Sequence, residues 1–509
     1  MSSVSKRIVK NSVFLYIRLI LSTAIAFIVV RLLLQSLGEV DYGVYSILAG
    51  AIAMFQMVNG TLVSSTMRFI VCAEGEKNEE KKNRIFNLVM RLHLWLGLIV
   101  ALAMEICFLF FWEKVFNIPA DRTLSAKVVY QFMALSVFVT FVSNPYEALI
   151  ISHEKMLFFA IWGIVQSFGK LFLSIILFIY AGDRLILYGF GMMMIFCVFA
   201  LWRWLFCRRF KESKISLKQK VDIHEIKSIF FFSGWVFCGN VSNTVLTSGS
   251  SLLLNRFFGV LVNAAEGVSA QISGQLSIFA TTVMQAVNPV IMKYESARNE
   301  DQAIVLSCTS SKMIGYIYIM MLVPFLYETE FVLTLWLKDV PDYTIIFCRL
   351  AVIRVLFTLL STPFVTYLNA TGHIRNFEIS DALIHLGTLF ASYIWLKSGG
   401  TPVIVYISLL ICVIVRMVLR VFWVGKESSM KQRDFWVGVF GRCVLIGMTV
   451  MIMIYPVCAF IHNNWIRLFA VCGSSVVLVL VAVWFFGLSS KEQIAIRSLI
   501  KTLKLFSPA

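Results

Sequence analysis

Six basic side chains, Arg18, Arg31, Lys170, Arg349, Arg354 and Arg442, interrupt stretches that are otherwise strongly apolar. A cation in hydrocarbon costs roughly 2.5–3.5 kcal/mol even on the lenient insertion scale, so each needs a route to the headgroups, an acidic partner or a polar cavity. Arg31, Arg349 and Arg442 lie within about two helical turns of the end of an apolar run, and Arg18 is within reach of one surface, so snorkelling competes with ligand binding there. Lys170 and Arg354 lie deeper, about three turns from either end. At ~100° per residue, Gln166, Ser167 and Ser174 share a helix side with Lys170, and Thr358 and Ser361 share one with Arg354. A deep cation on a polar stripe predicts a hydrated interior cavity in place of lipid. Pairing with an acid, with Glu105 and Asp381 the nearest candidates, is the competing reading.

Two further stripes carry no charge. Asn240, Asn243, Thr244, Thr247 and Ser251 fall within about 60° of Thr247 on either side, and Gln271, Gln275, Thr282 and Gln285 form a second such set. Helix-to-helix hydrogen bonding explains short sets of this kind, whereas stripes of this length predict the lining of a water-filled cavity. Catalytic arrangements are missing: there is no Gly-rich phosphate loop, no His-Glu-x-x-His and no Asp-x-Asp metal pair. His93, His153, His224, His373, His385 and His462 are dispersed, and Asp121, Asp183, Asp339 and Asp342 read as solvated loop charges. The eleven cysteines contain no Cys-x-x-Cys pair, which argues against a disulfide framework or a zinc site. The sequence therefore calls for no metal, no cofactor and no enzymatic activity.

The elements that must position these side chains are membrane spans. The chain has 509 residues, 59% hydrophobic and 14% charged, a balance that a water-soluble core could not absorb. Crossing a bilayer takes ~20 apolar residues as helix. Spans are expected at about 11–36, 42–67, 85–112, 127–150, 156–181, 185–207, 228–255, 264–291, 304–328, 343–369, 376–397, 402–424, 435–461 and 465–487. The first follows a basic start (Lys6, Arg7, Lys10) and is too long for a signal-peptide core, so it reads as an uncleaved helix.

The net charge of +17 sits in loops and forms no basic face for nucleic acid. With the N-terminus placed in the cytoplasm, the external side holds only Lys114, Arg122, Lys127, Arg184, Arg256, Lys338, Lys397 and Arg467. The internal side holds far more, Arg203, Lys312, Arg416 and Arg420 among them. That asymmetry places both termini in the cytoplasm and assigns these internal residues a topological role. The organisation expected is an N-terminal lobe over 1–210, a basic connector over 211–227, a C-terminal lobe over 228–424, a helix pair over 435–487 and a basic cytoplasmic tail over 488–509.

The two lobes read as repeats. Ser143-Asn144-Pro145-Tyr146 with the exit Ser152-His153-Glu154-Lys155 matches Ser361-Thr362-Pro363-Phe364 with Thr371-Gly372-His373-Ile374-Arg375. Leu33-Leu34-Gln35-Ser36-Leu37-Gly38 likewise matches Leu253-Leu254-Asn255-Arg256-Phe257-Phe258-Gly259. Six spans separate the copies, so they share one orientation about an axis along the membrane normal. The fold class expected is an all-α polytopic membrane protein of about fourteen transmembrane helices, two six-helix lobes related by a pseudo-two-fold plus a C-terminal pair.

This layout, with Asn11-Ser12, Arg31-Leu32-Leu33, Leu37-Gly38-Glu39-Val40-Asp41-Tyr42-Gly43-Val44-Tyr45, Arg68-Phe69-Ile70 and Asn369-Ala370-Thr371-Gly372, resembles the Wzx-type polysaccharide flippases of the multidrug/oligosaccharidyl-lipid/polysaccharide (MOP) superfamily. The resemblance implies a flippase of the bacterial cytoplasmic membrane that moves an undecaprenyl-pyrophosphate-linked oligosaccharide, for O-antigen or capsule synthesis, by alternating access. Lys170, Arg354, Arg18, Arg31 and Arg349 are then candidates for the pyrophosphate, and Asn240, Asn243, Thr247, Gln271, Gln275 and Gln285 for the sugars. The partners implied are the lipid-linked glycan, membrane lipid and glycan polymerase or assembly proteins, with no nucleic acid. A lipid II flippase and a MATE-type drug or cation antiporter share the fold; the latter usually places an acid in its first-lobe cavity, and the first span here has none.

Overall fold

The computed structural model describes residues 3–75, 79–115, 118–210, 213, 223–337, 340–372, 374–489 and 492–493. Among the described residues there are no strands. Twelve helices are long and apolar enough to cross a membrane. Two more long helices, over residues 39–75 and Val260–Ser296, complete fourteen. In chain order they are α1 (3–38), α2 (39–75), α3 (Glu79–Val115), α4 (Thr123–Ser152), α5 (Met156–Ile179), α6 (Arg184–Cys207), α7 (Ile223–Phe258) and α8 (Val260–Ser296). There follow α9 (Glu300–Leu337), α10 (Thr344–Thr371), α11 (Arg375–Lys397), α12 (Val403–Glu427), α13 (Gln432–Phe460) and α14 (Asn464–Gly487). Each expected span has its helix. Large apolar side chains such as Phe27, Leu109, Ile179, Ile452 and Phe485 stay exposed, as a surface whose solvent is lipid requires.

Helix ends follow from local chemistry. Residues 3–75 run as one helix broken at Gly38, where φ is 79° and ψ 173°, a region essentially reserved for glycine. Gly259, between α7 and α8, has φ 80° and ψ −170°. The matched sequences therefore share a backbone conformation. Glu154 after α4 (φ 55°) and Gly372 after α10 (φ 83°) are also both left-handed, and both helices contain a proline, Pro145 and Pro363. His373, the centre of the second exit, lies outside the described residues, as do Asp339 and most of the expected connector and tail. The expected end of span nine, 328, coincides with a break at Glu328 (φ −99°, ψ 15°), after which α9 resumes to Leu337.

The chain divides into two compact units, Asn11–Phe237 and Cys238–Ala509 with Met1–Lys10. In the first, α4 packs most extensively on α6; in the second, α8 packs on α10, while α13 and α14 pack on each other and on α9. The last pair is tied down by ion pairs: Arg467 of α14 grips Glu328 through both carboxylate oxygens, at 2.7 and 3.0 Å. Arg442, read from sequence as a snorkelling candidate, instead donates to the Gly487 carbonyl at 3.1 Å. That carbonyl is available because α14 ends in a π-helical turn, Val483–Gly487.

In the first unit Asp183 is not a solvated loop charge. It caps α6 by accepting from the amides of Leu185 and Ile186 (3.0 and 3.1 Å), accepts from Ser125 Oγ and pairs with Arg122. Arg122 also pairs with Asp41, three residues beyond the Gly38 break, and Arg184 donates to the Ser36 carbonyl at 2.8 Å. Three loop ends are thus clamped together around the glycine.

Because a Cβ at Gly38 or Gly259 meets nothing within 4 Å, the cost of Gly38→Ala or Gly259→Ala is purely conformational. Thermal unfolding of the purified protein should show a loss of about 1–3 kcal/mol for each; an unchanged midpoint would contradict the backbone assignment. A second expectation concerns Asp183. Burial raises its carboxyl, but the Ser125 hydroxyl, the Ile186 and Leu185 amides and the Arg122 guanidinium outweigh burial and hold it below the ordinary value. A carboxylate depressed by folding stabilises above the unfolded value of about 4 and loses that contribution as pH falls through the folded value. The Tm gap between the wild type and Asp183→Asn should therefore be widest near neutrality and close as pH drops below about 4.

Candidate functional site

The two deep cations each face a cavity inside their own unit. In the first, a space of about 580 Å³ is walled by α1, α2, α5 and α6. Lys170 enters from α5 with Ser167, opposite Ser22 of α1 and the rings of Tyr42, Tyr45 and Tyr188. Ser167 Oγ bridges to Ser22 Oγ at 3.0 Å, and Tyr45 meets Tyr188 edge to face at 4.9 Å. Of the rest of the expected stripe, Ser174 is fully buried and donates to the Lys170 carbonyl at 2.9 Å. Among the described residues no carboxylate pairs with Lys170.

In the second unit a cavity of about 320 Å³ is walled by α7, α8, α10 and α12. Arg354 enters from α10 with Thr358, facing Asn243 and Thr247 of α7, Ser273 and Ser277 of α8, and Arg416 of α12. Among the described residues no carboxylate lies within ion-pair distance of Arg354, and no acidic residue lines either cavity. The acids named as alternative partners are engaged elsewhere. Glu105 accepts from Gln131 Nε2 at 3.2 Å. Asp381 is held by Arg416 and Arg420, at 2.8 and 3.0 Å.

The other candidates are dispersed. Arg18 of α1 lies over the Phe159 ring, 4.2 Å from its centroid, in a slot that exists because residue 163 is glycine: a Cβ there would stand 2.0 Å from Arg18 Nε. Arg31 is exposed and does not line the cavity. Arg349 donates from Nε towards Thr329 Oγ1 at 3.5 Å and is directed to α9, away from Arg354. Of the polar stripes, Asn243 and Thr247 reach the Arg354 cavity, whereas Asn240, Gln271, Gln275 and Gln285 are exposed outside its lining. Thr282 is turned inward and donates to its own helix, to the Ile278 carbonyl. On α7 and α8 together, Ser251 donates to Glu266 at 3.0 Å, so part of the first stripe does join helix to helix.

Sequence reasoning missed the tyrosines of the first cavity and Arg416 of the second. Arg416 was counted as a topological charge because it stands in the half of its span expected to face the cytoplasm. Its position four residues before Arg420, on one helix side, was the available signal. Arg203 was passed over in the same way: its guanidinium pairs with Glu147 at 2.7 Å and donates to Ser143 Oγ at 3.2 Å.

Membrane-length helices around two cavities that each hold a deep cation define a polytopic membrane protein, and its fold is that seen in MATE transporters. An outward-facing multidrug resistance MATE family transporter of the MOP superfamily superposes with a TM-score of 0.72 at 14% identity, over 84% of this chain and 97% of its own. A mutant MATE transporter gives 0.72 at 15%, over 84% and 98%. A MOP superfamily transporter from Pyrococcus furiosus gives 0.69 at 16%, over 85% and 96%. Among curated protein sequences none matches. The chain belongs to the polysaccharide biosynthesis protein family, whose model matches residues 8–295, α1 to α8, more than half of its length.

The Arg18 slot yields a test independent of transport. Gly163→Ala should lower stability by no more than about 1 kcal/mol, since only the flexible end of Arg18 must move, and adding Arg18→Ala should restore most of the loss, as read from the thermal midpoints of the single and double variants. Equal losses with and without Arg18 would refute the steric account.

Proposed function

We propose that this protein is a flippase that carries an undecaprenyl-pyrophosphate-linked oligosaccharide from the inner to the outer leaflet of the bacterial cytoplasmic membrane, by alternating access. One observation carries the proposal. Lys170 and Arg354 are each set, beside hydroxyl groups, on the wall of a cavity inside a membrane-spanning unit, with no acid in either lining, in a member of the polysaccharide biosynthesis protein family. Such cations are stable only with water or with an anion to hold. A pyrophosphate supplies that anion: guanidinium takes it by paired hydrogen bonds, ammonium as a point charge. Asn243, Thr247, Ser273 and Ser277 offer amide and hydroxyl groups of the kind that hold sugar hydroxyls. An inside-negative potential favours outward movement of the bound charge by about 2.3 kcal/mol per charge per 100 mV. Glycan polymerase and assembly proteins are the partners that would receive the product.

The fold also supports a MATE-type cation antiporter, and the cavity polarity weighs against it, since a cationic drug would meet Lys170 or Arg354. The Pyrococcus furiosus transporter is itself described as having a binding pocket of reverse polarity that suggests a different function, so a change in ligand sign is compatible with this fold.

In a flippase-deficient strain, Lys170→Ala or Arg354→Ala should abolish surface glycan display while leaving the protein in the membrane. Wild-type display in both variants would sink the pyrophosphate role. Drug efflux that persists in both would favour the antiporter instead.

A further inference from the structure

The Arg354 cavity has a second guanidinium on its wall, and that guanidinium is already in use. Arg416 lines the cavity from α12, while its Nε and Nη2 both donate to Oδ2 of Asp381 on α11, at 3.1 and 2.8 Å. The same oxygen accepts from Nη2 of Arg420 at 3.0 Å. One carboxylate oxygen therefore serves two guanidiniums. Glu378, one turn away on α11, does not relieve this sharing: its carboxylate lies against Gly239 of α7, where a Cβ would stand 1.9 Å from Oε2. His385, a turn further along, is turned to Ser242 Oγ at 2.9 Å.

The two arginines differ in how firmly they are held. Arg420 is anchored a second time, by Nη1 to Ser361 Oγ at 2.8 Å, and its guanidinium lies 5.7 Å from the Phe377 centroid. Arg416 has Asp381 as its only hydrogen-bond partner among the described residues, and the cavity on its other side. If Arg416 leaves, Asp381 keeps Arg420 and no buried carboxylate is stranded; loss of Arg420 would also break the link to Ser361 on α10.

We propose that Arg416 is an exchangeable ligand for the substrate's pyrophosphate: it leaves Asp381 to bind the anion jointly with Arg354, and returns to Asp381 when the cavity empties. The inference rests on the headgroup reading given above. A pyrophosphate, with more than one negative charge and several acceptor oxygens, holds a guanidinium more strongly than a shared carboxylate oxygen does. In this arrangement occupancy of the cavity directly exchanges a bond between α11 and α12 for one to the cargo, so loading alters the packing of two helices that do not carry Arg354.

The test measures equilibrium binding to the full-length protein in nanodiscs, with geranyl pyrophosphate as the probe and inorganic pyrophosphate and geraniol as controls. Arg416→Gln should weaken geranyl pyrophosphate binding by about tenfold or more. Arg416→Lys, which keeps the charge facing Asp381 but loses the fork, should weaken it several-fold while preserving the thermal midpoint. Asp381→Asn should tighten binding, because Arg416 loses its competitor. Inorganic pyrophosphate binding within a few-fold of the prenylated probe supports the exchange, since recognition then resides in the anion. Geraniol binding as tightly as its pyrophosphate would overturn it. So would weaker binding in Asp381→Asn, which would make Asp381 a positioning group for Arg416. Wild-type affinity in Arg416→Gln combined with a loss in Arg354→Gln would overturn the exchange and leave the headgroup site standing. Wild-type affinity in both would overturn the headgroup reading as well.

Discussion

A charge placed inside a membrane protein has few stable arrangements, and their cost orders nearly everything else in this one. Water is absent from the hydrocarbon, so a guanidinium or ammonium must pair with an acid, donate to a free carbonyl, lie on an aromatic face or stand in a cavity that holds water or ligand. Arg203 with Glu147, Arg467 with Glu328 and Lys312 with Glu492 take the first course. Arg442 takes the second through the Gly487 carbonyl, and Arg18 the third on Phe159. Lys170 and Arg354 are left with the fourth. Their surroundings, and not their depth alone, set these two apart from the paired cations.

Each paired cation also fixes an element. Lys312 is buried in α9 and reaches Glu492 at 2.8 Å. Ser489 and Glu492 in turn form a reciprocal capping box, Ser489 N to Glu492 Oε2 at 2.7 Å and Glu492 N to Ser489 Oγ at 3.4 Å, the arrangement that starts a helix. Glu328 does the same at the other end of α9, where the helix breaks and Arg467 of α14 enters. α14 is therefore bolted to α9 by charge at its start and just past its end, although its sequence shows little beyond apolar residues.

Much of this was legible in the sequence because it depends on local order. Helix positions follow from runs of apolar residues, and the duplication follows from short strings around Gly38 and Gly259, Pro145 and Pro363. Those strings persist because their backbone shapes demand particular residues: φ near 80° with extended ψ excludes any side chain, so glycine marks the site in both copies. Pairing was not legible. Asp381 stands on α11 and its arginines one helix on, and nothing in the spacing says whether Arg354, Arg416 or Arg420 will meet it; that is settled by which faces of α10, α11 and α12 turn together. The surroundings of the long polar stripes were not legible for a related reason. Periodicity gives a side of the helix and leaves open what that side faces, so Asn243 and Thr247 line the Arg354 cavity while Gln271 and Gln275, equally periodic, are exposed outside that lining.

The two cavities use the repeat unequally. Each is framed by the first two and the last helix of its lobe, α1, α2 and α6 in one and α7, α8 and α12 in the other. Yet the cation comes from the fifth helix in the first lobe and from the fourth in the second. The surroundings differ to match. Lys170 stands among tyrosines, whose rings limit the number of waters that can approach an ammonium, a strongly hydrated point charge. Arg354 stands among serines, threonines and an asparagine, with Arg416 beside it, and a guanidinium with a fixed fork of donors is better suited to hold an anion in one orientation. The matched lobes thus set unlike cations in unlike surroundings, an ammonium among rings and two guanidiniums among hydroxyl and amide groups.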